Sequence, residues 1–161
     1  MILIGLGANL PSRFGSAAET LEAALAALGT EGIAVQDRSR WYRTAPVPIS
    51  DQPWYVNGVA RLATDLPAPA LLDRLHRLEA RFGRVRSVVN AARPIDLDLL
   101  DVDGRIEAGW PILPHPRLHE RLFVLRPLAD LAPGWRHPVS GLTVEALLAA
   151  LPPGQAIEAQ G

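Results

Sequence analysis

Two aspartates separated by one leucine, Asp96-Leu97-Asp98, stand in the apolar run from Ile95 to Leu100. In a strand, residues i and i+2 share a face, roughly 6.5–7 Å apart along the chain. Leu97 and Leu99 then turn to one side and both carboxylates to the other. Like charges side by side on a strand repel, and strands are poor in Asp, so an adjacent cation accounts for the pair. Ligands made only of oxygen suit Mg²⁺, which often takes one or two carboxylates and leaves its other positions to water and phosphate oxygens. The plainer alternative is a solvent-facing strand with two hydrated acids, and spacing alone leaves both open.

A basic stretch lies just upstream. Arg74, Arg77, Arg81, Arg84, Arg86 and Arg93 face a single acid, Glu79, before the Asp96 strand begins. Arg74, Arg77 and Arg81 fall on the polar side of a helix and read as solvated. Arg84, Arg86 and Arg93 sit in or beside the loop leading into that strand, where a planar guanidinium fork matches phosphate oxygens.

Further along, Pro114-His115-Pro116-Arg117-Leu118-His119-Glu120-Arg121 fixes the backbone of His115 between two prolines. This reads either as a rigid surface turn or as part of an anion site. The His115–His119 spacing lacks the acid a zinc helix needs, and Pro116 disfavours a helix there, so zinc is set aside. Tyr42 to Pro46 and Asp51 to Asn57 bracket a Pro-bounded loop with aromatic rings and an amide. That set suits a flat heterocycle held by stacking and edge hydrogen bonds, or equally a turn over buried aromatics. Gly5-Leu-Gly-Ala-Asn9 is half of a dinucleotide-binding fingerprint and lacks the third glycine. Trp41, Trp110 and Trp135 read as core or rim packing.

The elements that must carry these residues are legible. Ile2 to Leu6 predicts a buried first strand. Ser16 and Glu19 form a capping box ahead of Leu21, Leu25 and Leu28, a helix ended by Gly29 and Gly32. Ile33 to Tyr42 and Val56 to Leu66 predict two strands. Pro67 and Pro69 open a second helix along Leu71, Leu72, Leu75, Leu78 and Phe82, closed by Gly83. Ile95 to Leu100 is the last strong strand, and Asp103-Gly104 after it is a hairpin signal. The order β-α-β-β-α-β predicts an α+β fold with a ferredoxin-like core, two helices packed on one face of an antiparallel sheet. A Pro-rich C-terminal extension adds at least one further helix, starting near Thr143. Residues 1–161 are expected to form one domain.

Composition narrows the classes. The 161 residues carry 16 basic and 17 acidic side chains, a net charge of −1, which argues against bulk electrostatic capture of nucleic acid. Every basic residue is arginine, so a phosphate-binding or Schiff-base lysine is excluded. Cysteine is absent, which removes disulfides and thiolate metal sites. No run approaches the roughly 18 apolar residues of a membrane span, and no leader pattern opens the chain. A cytoplasmic protein without membrane or nucleic-acid partners is the expectation.

Taken in order, these segments resemble the 6-hydroxymethyl-7,8-dihydropterin pyrophosphokinase family of folate biosynthesis. The matching pieces are Gly5-Leu-Gly-Ala-Asn9-Leu10, Tyr42-Arg-Thr44, Asp51-Gln-Pro-Trp-Tyr55-Val-Asn57, Glu79 with Gly83-Arg-Val-Arg86, Arg93-Pro-Ile-Asp96-Leu-Asp98, Pro114-His115-Pro-Arg, and Arg121-Leu-Phe123-Val-Leu leading into Pro127-Leu. The resemblance implies diphosphoryl transfer from ATP to the hydroxymethyl oxygen of a reduced pterin, releasing AMP. It implies two Mg²⁺ ions at Asp96 and Asp98, with Arg84 and Arg93 acting in catalysis from a closing loop. It implies a pterin slot of Thr44, Tyr55, Asn57 and Phe123, and ATP bordered by His76, Glu79, Arg84, Arg86, Arg93, His115 and Arg121. A monomer working on these two small molecules is the implied state. Asn90-Ala91-Ala92-Arg93 stands where members often carry Trp-Gly-Pro-Arg, so only the arginine carries over. Trp110 and Ile112 stand where some members place Arg and Thr. Two other readings fit the core order: a non-catalytic small-molecule-binding regulatory module, and an RNA-recognition module. Val59-Ala60-Arg61-Leu62-Ala63 lacks the stacking aromatics that the RNA module needs.

Overall fold

The structure, a computed structural model, describes residues 1–9, 11–46, 53–83 and 95–160. A six-stranded antiparallel sheet forms from β1 (Ile2–Ala8), β2 (Ala34–Arg38), β3 (Tyr42–Thr44), β4 (Tyr55–Ala63), β5 (Asp96–Val102) and β6 (Ile157–Ala159). Its order is β5-β1-β4-β3-β6, with β2 pairing on β4 as well. Helices α1 (Ala17–Leu28) and α2 (Ala68–Arg81) cover one face, while α3 (Leu122–Leu131) and α4 (Val144–Ala150) cover part of the other. The ferredoxin-like core is therefore present, with a second helical layer that the sequence marked only at Thr143. No helix among the described residues is long and apolar enough to cross a membrane.

Local chemistry explains the elements. Ser16 accepts the Glu19 N–H at 3.2 Å while Glu19 accepts the Ser16 N–H at 3.0 Å, the reciprocal cap expected of α1. In α2, Leu71, Leu75 and Leu78 are fully buried, and Gly83 just beyond takes φ 92°, the left-handed conformation that ends a helix. Arg74 and Arg81 are not merely solvated: both reach Glu31, at 3.2 and 2.9 Å. Thr143 caps α4 by accepting the Ala146 N–H at 3.1 Å.

The strand expected over residues 33–42 is broken in two. Trp41 leaves the sheet to bury its indole in the α1–α2 core, where a Cβ on Gly58 would lie 2.5 Å from the ring. Ser39 bridges the break, accepting the Val59 N–H on its hydroxyl at 3.0 Å and donating its own N–H to the Val59 carbonyl at 2.8 Å. Asp103 and Gly104 do form a turn, at φ 53° and 70°, but no strand returns beside β5 among the described residues. Pro111, Pro114 and Pro116 supply no N–H to a ladder.

Two rows of side chains decide how the sheet is covered. Toward α1 and α2 point Ile4, Leu6, Ala60, Leu62, Leu97 and Leu99, all buried. Toward α3 and α4 the pattern changes midway along the strands. Leu3, Val59 and Leu100 pack beneath those helices, whereas the same face continues as Gly5, Gly7, Asn57, Asp96 and Asp98. A buried Leu or Val contributes roughly 1.5–3 kcal/mol, and the second group offers nothing comparable. The helical layer therefore stops where the apolar row stops. A register shift beside Leu3 and Ile4 lets Leu100 and Asp101 turn to this face in succession. Asp101 there accepts from the Trp135 indole at 2.8 Å.

Glu79 joins α2 to β5. Its carboxylate is fully buried and accepts the Leu97 N–H at 2.7 Å, between the two aspartates. Replacing Glu79 with Leu leaves that buried amide short of its acceptor, at a cost of about 1–3 kcal/mol. Urea denaturation should show the lowered midpoint; an unchanged midpoint would mean the amide finds another acceptor.

Candidate active site

A cleft of about 220 Å³ opens over the uncovered half of the sheet, between β3 and the N-terminal end of α3. Its floor is built by register. Gly7 pairs with Asn57 on one side and Asp96 on the other, and Gly5 pairs with Val59 and Asp98. Paired residues in an antiparallel ladder share a face, so each glycine lies between two side chains and clears the space between them. At Gly7 the clearance is already used, since a Cβ there would stand 2.6 Å from the Asn57 Oδ1. The half-fingerprint at Gly5-Leu-Gly is thus no phosphate loop. It is a strand whose missing side chains make a floor.

The walls hold the remaining groups. Asn57, buried, donates its amide to the Thr44 hydroxyl at 2.6 Å, so the two form one fixed polar edge. Tyr55 on β4 and Phe123 on α3 present half-exposed rings to the same space. Arg121, at the N-cap of α3, lies 3.7 Å from Asp98 through its Nη1 and 5.3 Å from the Phe123 ring centre. With side chains only 24% and 30% exposed, Arg121 and Asp98 are screened less than a surface pair. At the far end of α3, the Tyr42 hydroxyl bonds Asp130. Burial, and then that carboxylate, push the Tyr42 phenol up to about 12.

His115 lies outside the cleft lining, near enough to Asp96 and Arg121 for their charges to act on it. Its backbone N–H bonds the Leu100 carbonyl at 2.9 Å, and its Nδ1 accepts the Arg117 N–H at 3.1 Å. The peptide bond before Pro114 is cis. Burial, aided by the positive charges of Arg121 and Arg117 and opposed by Asp96, lowers the imidazole to about 4. At neutral pH the ring is therefore uncharged, with the proton on Nε2, because Nδ1 is occupied as an acceptor.

Seven residues singled out from sequence meet in the cleft: Thr44, Tyr55, Asn57, Asp96, Asp98, Arg121 and Phe123. Arg84, Arg86 and Arg93 lie outside the described residues. Glu79 does not line the cleft. It is buried against β5, where its carboxylate takes the Leu97 N–H and supports the strand. His76 lies on α2 in edge contact with Trp110, ring centres 5.7 Å apart, and is also away from the cleft lining. Trp110 itself is 62% exposed, whereas Trp41 and Trp135 are buried as expected. His119 packs its ring on His137 at 5.8 Å, turned to a different neighbour than His115.

Sequence reasoning missed Arg117, Glu120 and Gln155, which also line the cleft. Arg117 stands inside the Pro114-His115-Pro-Arg segment and was open to assignment on that ground. Gln155, in a Pro-Pro-Gly-Gln tail, carries no local signal at all.

The family model described as 7,8-dihydro-6-hydroxymethylpterin-pyrophosphokinase matches residues 3–133. A 2-amino-4-hydroxy-6-hydroxymethyldihydropteridine pyrophosphokinase of Synechocystis sp. is 38% identical over 148 residues, 91% of this chain and 73% of that protein. A protein of the same name from Pseudomonas aeruginosa is 41% identical over 157 residues, 94% of this chain and 91% of its own. The folic acid synthesis protein fol1 of Pneumocystis carinii is 35% identical over 144 residues, 89% of this chain but only 19% of that larger protein. The matched span reaches from the glycine floor on β1 to the end of α3, and the chain belongs to the 7,8-dihydro-6-hydroxymethylpterin-pyrophosphokinase family.

Proposed function

We propose that this chain transfers diphosphate from ATP to the hydroxymethyl group of 6-hydroxymethyl-7,8-dihydropterin, giving the pterin diphosphate and AMP. The observation that carries this reading is the shared floor: Asn57, bonded to Thr44, and Asp96 flank Gly7, and Asp98 flanks Gly5 on the same face. A flat heterocycle seated against Asn57 and Thr44, between the Tyr55 and Phe123 rings, directs its substituent across Gly5 and Gly7 toward the carboxylates. The pterin oxygen forms a bond to the β-phosphorus as the bond from that phosphorus to the α-phosphate oxygen breaks. AMP leaves with the bridging oxygen and the hydroxyl proton is released.

The donor set fits divalent metal. Asp96 and Asp98 offer carboxylate oxygens only, both half-exposed to a cleft that a triphosphate can enter, and no third acidic or histidine ligand completes a cage among the described residues. That suits Mg²⁺, two ions by the family resemblance, whose remaining positions go to phosphate oxygens and water. When bound, such ions neutralise phosphate charge and align the in-line displacement. Arg121, already drawn toward Asp98, offers its fork to the same phosphates. His115 contributes a neutral Nε2–H donor, which binds a phosphate oxygen without adding charge. Arg84, Arg86 and Arg93 are assigned to the nucleotide by resemblance, with Arg84 and Arg93 in the catalytic role. His76 is assigned to the nucleotide by resemblance as well. The reading carries with it a single-domain, monomeric, cytoplasmic enzyme that acts on small molecules alone.

³¹P NMR of ATP, the hydroxymethyl pterin and Mg²⁺ should show AMP growing with the pterin diphosphate; ADP instead of AMP would overturn the reaction class. In the same assay Asp98→Asn should lower Mg²⁺-dependent turnover at least about 10²-fold with the fold retained. Near-normal rates in that variant would remove the carboxylate pair from the chemistry. Gly7→Ala puts a methyl group against the Asn57 amide and should raise the KM for the pterin while leaving that for ATP near its starting value. An equal rise in both would show that the floor is not divided between the two substrates. The His115 imidazole should remain neutral in an NMR titration from pH 8 down to pH 5. Because its folded pKa lies below the unfolded value of about 6.5, the folded state loses stability as pH falls from there toward 4. His115→Gln should flatten that part of the stability curve; an unaltered curve would place the titrating group elsewhere.

A further inference from the structure

The last segment of the chain reaches the cleft from far away in sequence, and it lies beyond the residues 3–133 that the family model matches. Gln155 lines the cleft. Its Oε1 accepts the Leu122 N–H at 3.0 Å, and its Nε2 donates to the Glu120 carbonyl at 3.1 Å. Leu122 is the first residue of α3, and Arg121 before it makes no side-chain cap. Gln155 supplies that cap from 33 positions downstream.

The next residues grip the opposite wall. The Ala156 carbonyl accepts the Ala45 N–H at 3.1 Å, and β6 pairs along β3 from Thr44 to Tyr42. Consecutive residues of one strand-like segment thus hold the wall that carries Thr44 and the wall that carries Phe123. At the other end of α3 the same two walls are joined by Tyr42 and Asp130. A helix tied to a strand at both ends is fixed in distance and in tilt.

The choice of side chain matters. A neutral amide offers one acceptor and one donor, matched to one N–H and one carbonyl. A carboxylate would satisfy Leu122 but face the Glu120 carbonyl with a lone pair, and it would bring negative charge toward Asp96 and Asp98. An aliphatic side chain would satisfy neither backbone group.

We propose that Gln155 is a positioning residue for the pterin slot: through Leu122 and Glu120 it sets the distance between the Phe123 wall and the Thr44 wall, and with it the width available to a flat substrate. The proposal rests on the pterin reading given above. It predicts a binding defect that falls mainly on the pterin, because the strap meets the slot between Thr44 and Phe123 and the aspartates on the floor are held by β1 and α2; Arg121, between the two anchored residues, passes only a smaller effect to the nucleotide.

The test compares Gln155→Ala and Gln155→Glu with the unaltered protein. Calorimetry measures binding of the hydroxymethyl pterin and of a non-hydrolysable ATP analogue, and amide hydrogen exchange is followed at Leu122 and Ala45. Gln155→Ala should weaken pterin binding about 5-fold, the equivalent of one neutral hydrogen bond, with the nucleotide within about 2-fold of its starting affinity. Exchange should quicken at Leu122 and at Ala45 together, since both walls loosen. Gln155→Glu, which keeps the acceptor and loses the donor, should fall between the two in pterin affinity. Faster exchange at Leu122 with pterin affinity unchanged would reduce Gln155 to a helix cap and overturn the proposal. Equal weakening of pterin and nucleotide would overturn it too. An unaltered protein that binds no pterin would instead sink the functional reading, a result separate from any difference among the variants.

Discussion

The inner strand β1 has no side chains at Gly5 and Gly7 on one of its faces, and the cleft depends on that absence. Antiparallel pairing places Asn57 and Val59 on one side of these positions and Asp96 and Asp98 on the other. A side chain at Gly7 would collide with Asn57 and lie between the amide and the carboxylates. The same strand is fully buried on its opposite face by Ile4 and Leu6, so it stays fixed while its other surface is left open. Few strands tolerate glycine, because an empty position gives up packing. Here both vacant positions fall where the helical layer ends, and the apolar rows elsewhere on the sheet carry the stability.

Electrostatics and packing meet on β5. Two carboxylates at i and i+2 are an unfavourable pair on an isolated strand. The strand is held from below by Glu79, whose carboxylate takes the Leu97 amide, and by Leu97 and Leu99 in the core. Arg121 offsets part of the charge from above. The backbone beneath the aspartates is therefore fixed by interactions that do not use their side chains, which turn toward the cleft. Rigid backbone beneath and adjustable charge above is the arrangement a phosphoryl-transfer site requires.

Much of the fold was legible because its determinants are local. The capping box at Ser16, the leucine spacing of α2, the positive-φ glycine after it and the Thr143 cap each need only a few consecutive residues, and each forms as read. The break between β2 and β3 was not legible. It depends on Trp41 packing against Gly58, a contact between residues that composition alone does not connect. The helix at Leu122–Leu131 was missed for a related reason, since Pro127 lies inside it and its apolar side is matched to Leu3, Val59 and Leu100 across the sheet.

For the site, the sequence by itself determined which chemistry was available: paired acids on one strand face, arginine as the only fixed cation, and an amide beside aromatic rings. It did so because residue type and short spacing fix charge, hydrogen-bonding capacity and facing. The tertiary structure alone decided which of these groups share a space. Glu79, His76 and His115 carry the right chemistry but fall outside the cleft lining, while Gln155, silent in sequence, enters the cleft because the chain folds back over it. Antiparallel register and helix packing bring together residues that are tens of positions apart, and no local pattern encodes that distance.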